Sequence, residues 1–335
     1  MKEETKITVI VPSYNQGDYI ENCIKSVIQQ DYHNWELIIQ DGASTDSTIF
    51  ICEKYAALDN RIIFSSEKDK GFADAVNKAL NIASGTLGVI QSSDDFFAQN
   101  CVFKDANNIY NNNNKDLNII AGASLVVNED LELLATQERI EKYVPLENIY
   151  TLRDHFSQGA TFFSLLRAKE INYLDSTVDM VADTDFWIRM ACITPVKINT
   201  VYQTSKIWGA VTVQPEQRSG NLSKFYYGRA LMGYVHTQSN RLGLSKAFKQ
   251  NHANELIIAG IEHFKGLALD VQDFLSLYKE LNKKDYILEP LPISLKMSIK
   301  KMFYTKKGEM PLNSKADYYT EHSNKASRLN MRWFS

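Results

Sequence analysis

Leu87-Gly88-Val89-Ile90-Gln91-Ser92-Ser93-Asp94-Asp95 is an apolar run that stops abruptly in hydroxyls and paired carboxylates. Apolar residues without alternation read as a strand covered on both faces, the kind found in parallel sheets. Carboxylates directly after such a strand project into the crevice at its carboxyl edge, where open α/β sheets bind ligands. Hard oxygen donors there suit magnesium or manganese held against a diphosphate. Ser and Asp are also ordinary turn formers, so the surrounding pattern has to decide.

Working outward, Ile7–Val11 is a β-branched run closed by Pro12, Trp35–Gln40 a second run ended by Asp41-Gly42, and Arg61–Ser65 a third. The stretches between them have helical spacing. Ile20, Cys23, Ile24, Val27 and Ile28 share one face, with Asp18 as N-cap and Glu21 reaching back. A second helix runs from Ser44 or Thr45 to Tyr55, and a third from Gly71 to Ala83 turns Phe72, Val76, Leu80 and Ala83 inward. Strict alternation of strand and helix predicts an α/β fold, doubly wound because crossovers are right-handed.

Beyond the carboxylates the pattern changes. A helix over residues 99–110, a solvated turn at Asn111–Asn114 and a β pair at Leu117–Val127 and Glu132–Thr136 precede a strand at Ala160–Leu165 and a helix at Asp183–Cys192. Helical stretches follow at 222–243, 247–264 and 271–281. The expected division is a catalytic-type domain over residues 1–215 and a helical C-terminal region over 216–335.

Composition narrows the function. Hydrophobic residues make up 44% and charged residues 23%, an ordinary soluble composition, and the net charge of −3 gives no reason to expect nucleic acid as a partner. The cysteines Cys23, Cys52, Cys101 and Cys192 are scattered and read as reduced, as in the cytoplasm. No segment reaches the ~18 uncharged apolar residues of a membrane span, and the N-terminus is too charged for a signal peptide. His33, His236, His252, His263 and His322 have no metal-ligand spacing.

Val11-Pro12-Ser13-Tyr14-Asn15, Asp41-Gly42-Ala43-Ser44-Thr45-Asp46, Glu67-x-Asp69-x-Gly71, Asp74-Ala75-Val76-Asn77-Lys78 and Ser93-Asp94-Asp95 occur in that order. The series resembles the family 2 glycosyltransferases, inverting enzymes of the GT-A fold that use nucleotide-sugar donors. It implies a Rossmann-like mixed sheet with helices on both faces, here followed by a C-terminal helical extension. The resemblance is strong over residues 6–100 and traceable to about residue 213.

It also implies roles. Pro12 and Tyr14 would flank a flat base, Asp41 would accept from a pyrimidine N–H, and Asp69 and Asp74 would lie near base and ribose. Asp95 would coordinate Mn2+ or Mg2+ across the donor phosphates, with Ser93 in the first slot of the family's Asp-x-Asp arrangement and Asp94 turned to ribose or to a water on the metal. Ala182-Asp183-Thr184-Asp185-Phe186-Trp187-Ile188-Arg189 resembles the acceptor-site signature. It makes Asp183 the base for the acceptor hydroxyl, with Asp185 as alternate; acidic residues also suit a first helical turn for dipole reasons. Gln158-Gly159-Ala160-Thr161-Phe162-Phe163 resembles the acceptor-side lining, one of the two phenylalanines being core, and Trp187 reads as core.

Relatives of this kind carry an Arg-x-His element after the acceptor helix. This chain has no histidine between His155 and His236. Arg218 then supplies the diphosphate charge, and a third metal ligand is unassigned. Leu291–Lys307 is a basic amphipathic stretch, which reads equally as a peripheral contact with anionic lipid through residues 289–307 or as a solvated helix packed on the domain. The implied partners are a nucleotide-sugar donor, most simply a UDP-sugar, and a glycan or lipid-linked glycan acceptor of bacterial polysaccharide assembly. The rival readings are a sugar nucleotidyltransferase, which would want a Gly- and Arg-rich triphosphate loop after the first strand, and a catalytically silent nucleotide-sugar-binding protein.

Overall fold

Ile7–Ser13 forms the central strand, β1, of a sheet whose neighbours are parallel: Trp35–Asp41 (β2) on one side and Leu87–Ile90 (β4) on the other. Ile62–Ser66 (β3) pairs in parallel beyond β2. The computed structural model describes residues 4–151, 153–154, 156–192 and 200–214, with Gly228, Arg229, 231–233, His236, Lys249 and His252. The chain divides into two units, Met1–Gln214 (with the last four residues) and Pro215–Met331. Arg218, the basic segment 289–307 and nearly all of the helical stretches expected beyond residue 220 lie outside the described residues.

Pro12 was expected to close β1, yet the strand runs on to Ser13. Peptide groups alternate sides along a strand. The Ile10 carbonyl accepts from the Gln91 N–H at 2.9 Å on the β4 side, so the nitrogen of Pro12 faces the same side. The β1–β4 ladder has already ended there, at Ile10 opposite Ile90. A proline that lacks a donor is tolerated because no acceptor waits for it. It marks where the sheet opens.

Helices Ile20–Ile28 (α1), Thr48–Leu58 (α2) and Val102–Asn112 (α4) cover one face, burying Cys23, Ile24, Cys52, Phe103 and Ala106 against Val9, Val11, Leu37 and Ile39. Phe72–Ile82 (α3) covers the opposite face. The crossovers β1–α1–β2 and β2–α2–β3 thus lie on one side, and β3–α3–β4 returns on the other. The second half of the sheet is mixed. Thr161–Ser164 (β9) runs antiparallel between β4 and Ile119–Val127 (β6), and Val201–Thr212 (β10) lies parallel to β6. Phe96–Phe97 (β5) and Lys142–Tyr143 (β8) pair antiparallel with β10, and Leu133–Gln137 (β7) forms the expected hairpin with β6. The spatial order is β3-β2-β1-β4-β9-β6-β10-β5.

Two expected helix starts moved. α1 begins at Ile20 without a side-chain cap, because the Tyr19 and Ile20 N–H groups donate to the Gln16 carbonyl. Glu21 instead accepts from the Tyr55 hydroxyl at 2.8 Å, joining α1 to α2. α2 begins at Thr48 rather than Ser44, because the Ser44 side chain is spent on Asp41. Among the described residues no helix is long and apolar enough to cross a membrane.

Candidate functional site

The strand order reverses direction between β1 and β4, the topological switch point at which open α/β sheets bind ligands. Five segments reach that edge: Pro12–Asn15 after β1, Asp41–Ser44 after β2, Glu67–Gly71 after β3, Gln91–Asp95 after β4 and Thr212–Gln214 at the end of β10. Parallel registers put all of them on the carboxyl side.

Gly42 marks the first half of the site. A Cβ there would meet Asp69 Oδ2 at 2.8 Å and the Tyr14 ring at 3.3 Å. Tyr14 and Asp69 therefore flank a bare stretch of backbone, and Tyr14 is 61% exposed, so its ring face is open to a flat ligand. The loops that shape this slot are strained. Asn15 has φ of 50° and Ala43 of 64°, left-handed values that non-glycine residues adopt at some cost. Hydrogen bonds hold them: the Asn15 N–H donates to Ser44 Oγ at 2.7 Å, and the Thr45 N–H donates to Asn15 Oδ1 at 2.9 Å. Gly71, with φ of 112°, makes a turn only glycine makes freely.

Asp41 lies beneath this slot and is wholly buried. Its carboxylate accepts from the Ser44 N–H at 2.8 Å, from the Ser44 hydroxyl, and from the Ser66 hydroxyl at 2.6 Å. In this arrangement it ties the β2 exit to β3, and a base reaches it only by displacing one of those donors. Asp69 accepts from the Gly71 N–H at 2.8 Å, and Asp74 from the Lys70 N–H at 3.0 Å. Lys78 pairs with Glu67 at 2.9 Å and lies 3.6 Å from Asp74.

Asp94 and Asp95 form the second half. Both are largely desolvated, and burial is the main cause that raises both carboxyl pKa values; for Asp95 the adjacent Asp94 charge raises it further. The Thr212 N–H donates to Asp95 Oδ1 at 2.9 Å, and Gln214 Nε2 donates to Asp94 Oδ2 at 2.6 Å. Among the described residues no cationic side chain pairs with either. Two adjacent desolvated carboxylates whose donors among the described residues are neutral are a set that a divalent cation would stabilise. The donor set fits such an ion, although among the described residues no cluster of three His, Cys, Asp or Glu side chains completes it. Arg218, expected at the diphosphate, lies outside the described residues.

The acceptor-side segment adjoins the pair. Gln91 is fully buried. With its amide oriented to satisfy its neighbours, it donates to the Gly159 carbonyl at 3.2 Å and accepts from the Phe96 N–H at 3.1 Å. A Cβ on Gly159 would meet Gln91 at 2.5 Å. Gln91 thus joins the carboxylate turn to the 3-10 turn at Gln158–Ala160. Phe162 and Phe163 are both core, on opposite faces of the sheet: Phe162 packs edge-on to Trp208, and Phe163 against Phe186 and Trp187.

After the short helices Leu146–Tyr150 (α5) and Leu165–Glu170 (α6), helix Ala182–Ala191 (α7) carries the expected base. Near its carboxyl end the Met190 carbonyl accepts from Asn118 at 3.0 Å, and Asn118 precedes β6 at the amino edge of the sheet. That bond anchors the carboxyl end of α7 at the amino edge of the sheet. Asp183 is half-buried and accepts from the Thr184 N–H at 2.7 Å. Asp185 is buried and ion-paired with Arg189 Nε at 2.6 Å, while Arg189 Nη1 donates to the Ile171 carbonyl at 3.0 Å. That geometry makes Asp185 part of the helix packing. Gln91, Thr212 and Gln214 carry no residue-type signature of a site and emerge only from pairing between distant strands.

The matching family model is Glycosyl transferase family 2, over residues 8–169. The teichuronic acid biosynthesis glycosyltransferase TuaG of Bacillus subtilis, whose assignment is itself provisional, is 44% identical over 27% of this chain and 36% of its own length. WfgD of Escherichia coli, named as a UDP-Glc:alpha-D-GlcNAc-diphosphoundecaprenol beta-1,3-glucosyltransferase, is 40% identical over 28% of this chain and 37% of its own. Glycosyltransferase GlyA of Streptococcus pneumoniae is 37% identical over 30% of this chain, and the match spans 15% of that protein. The matches thus span little more than a third of these curated relatives at most. Among solved structures, S. aureus TarS 1-349 in complex with UDP-GlcNAc superposes with a TM-score of 0.64 at 19% identity, covering 89% of each chain. That likeness establishes the GT-A fold. Motifs, topology and family model agree over the same stretch: residues 8–169 match glycosyl transferase family 2.

Proposed function

We propose that the protein is an inverting glycosyltransferase that moves one sugar from a nucleoside diphosphate, most simply a UDP-sugar, to a hydroxyl of a glycan or lipid-linked glycan. The observation that carries this reading is the desolvated Asp94–Asp95 pair at the switch point, with which no cationic side chain among the described residues pairs, beside the open slot between Tyr14 and Asp69. One relative named for UDP-glucose transfer and a structural neighbour bound to UDP-GlcNAc support a UDP-sugar donor.

In this reading the base lies along Tyr14 over Gly42, with Asp69 and Asp74 beside the ribose. Asp41 keeps the slot in shape and meets the base edge if Ser44 yields. Asp95, helped by Asp94, would hold Mn2+ or Mg2+; a neighbour bound to GDP-Man and Mn2+ supports divalent metal use. The ion, when bound, would offset the negative charge that grows on the departing diphosphate. Asp183 takes the proton of the acceptor hydroxyl as its oxygen attacks the anomeric carbon. The bond from that carbon to the diphosphate oxygen breaks with its electron pair, and the nucleoside diphosphate leaves.

Residues 1–215 would be the donor-binding and catalytic domain and 216–335 an acceptor or membrane-surface region. Its cytoplasmic location and a peripheral contact through 289–307 belong to the same proposal, and vesicle co-sedimentation with and without residues 289–335 tests the contact. A thermal-shift screen of nucleotide sugars with and without manganese tests the donor. Asp95→Ala and Asp183→Asn should each abolish transfer, with donor binding kept in the latter. Undiminished transfer in both variants would refute the assignment.

A further inference from the structure

Asp94 and Asp95 are neighbours in one tight turn, closed by the Asp95 N–H donating to the Ser92 carbonyl at 3.1 Å. Two ionised carboxylates so placed repel each other and would swing apart unless held from outside. The Ser92 hydroxyl supplies a local bond to Asp95, and the hold on the pair from outside the turn comes from more than a hundred residues downstream, at the end of β10. The Thr212 peptide N–H takes one oxygen of Asp95, and the Gln214 amide takes one oxygen of Asp94. The strand that carries these donors is fixed to the carboxylate turn itself. Phe96 and Phe97, immediately after Asp95, pair with Ala210 and Gly209. Continuing that antiparallel register brings Thr212 across from Asp94, which is where both donors act.

We propose that Gln214 is a positioning residue which, together with the Thr212 N–H, sets the spacing of the Asp94 and Asp95 carboxylates for a divalent cation. The inference rests on the reading of this cleft as the donor site. Its physical content lies in the residue type. A carboxylate accepts only, so the amide must present its NH2 to Asp94. An amide orients the carboxylate without cancelling its charge, leaving the full negative charge of the pair for the ion. A lysine at the same place would pair with Asp94 and compete with the cation. An alanine would leave Asp94 free to rotate away from its neighbour. Groups that orient metal ligands in this way typically change metal affinity by about 10–100-fold when lost.

The test measures Mn2+ affinity by electron paramagnetic resonance on the full chain, with whichever of UDP, GDP or CDP binds the wild type best. Nucleotide binding is measured separately in EDTA. Gln214→Ala should weaken Mn2+ about tenfold or more, with nucleotide binding in EDTA unchanged. Gln214→Lys should also weaken Mn2+ yet bind the nucleotide in EDTA at least as well as wild type, because its ammonium replaces part of the cation's charge. Gln203→Ala is the control for folding. Gln203 is buried in the same strand and donates to the Ile140 carbonyl at 2.9 Å, away from the carboxylates. It should leave Mn2+ affinity within about twofold of wild type. Wild-type binding of Mn2+ that survives Gln214→Ala, or that falls equally in Gln203→Ala, overturns the role of Gln214. A wild type that binds nucleotide but no Mn2+ overturns the metal reading of the site along with it.

Discussion

Carboxylates left desolvated and beside one another hold the folded chain in an unfavourable state until something positive arrives. Burial, and for Asp95 the Asp94 charge, raise both carboxyl pKa values. The folded chain therefore binds protons more tightly here than the unfolded chain does. Stability then falls as pH rises from the ordinary carboxylate value through the raised one. Without metal, Asp95→Asn should flatten that fall and raise stability at neutral pH by about 0.5–2 kcal/mol while abolishing transfer. Calorimetry of both proteins across the acidic range checks it, and a variant less stable than wild type at neutral pH would mean the charge is already compensated. Metal binding itself should tighten as pH rises, because cation and proton compete for the same oxygens. Gly42 allows a second residue-scale test. A Cβ there would press on Asp69 at 2.8 Å and on Tyr14 at 3.3 Å, so Gly42→Ala should weaken nucleotide binding about tenfold, roughly 1.4 kcal/mol. Calorimetric titration with UDP measures it, and unchanged affinity would place the base elsewhere.

At the scale of elements, α7 separates two carboxylates that one turn of sequence makes look alike. Asp185 is buried in an ion pair with Arg189, whereas Asp183 is half-buried at the helix start. Removing one partner of a buried pair strands the other, so Asp185→Ala should cost about 3–5 kcal/mol of stability. Asp183→Asn should leave stability within about 0.5 kcal/mol of wild type and remove transfer. Chemical denaturation alongside the transfer assay reads both, and the reverse pattern would exchange their roles. The same contrast explains what was legible in the sequence. Strands β1 to β4 and the β6–β7 hairpin announce themselves by apolar runs between turn residues, since local burial writes local patterns. Strand β10 does not, because Lys206, Ile207 and Trp208 break its alternation at the irregular register with β6. Nor does the start of α2, since Ser44, a good cap by type, is drawn to Asp41 by the tertiary fold. Asp94 and Asp95 are legible as candidate ligands, but the Gln214 amide that holds the first and the Thr212 peptide that holds the second are of no chemical distinction until β10 is laid beside β5.

For the first unit as a whole, one geometric proposition connects these parts. A sheet that reverses its winding at β1 and β4 opens a crevice where Pro12 has no partner on the β4 side, and the exits of β2, β3, β4 and β10 all reach that edge. Donor and acceptor chemistry should meet there although Tyr14, Asp95 and Asp183 are far apart in the chain. A crystal structure of the full chain with UDP and Mn2+ tests this most directly. The base should lie between Tyr14 and Asp69 over Gly42, with the ion on Asp95 and the diphosphate turned toward Asp183. A nucleotide seated away from the β1–β4 crevice, or an ion that does not touch Asp95, would contradict it.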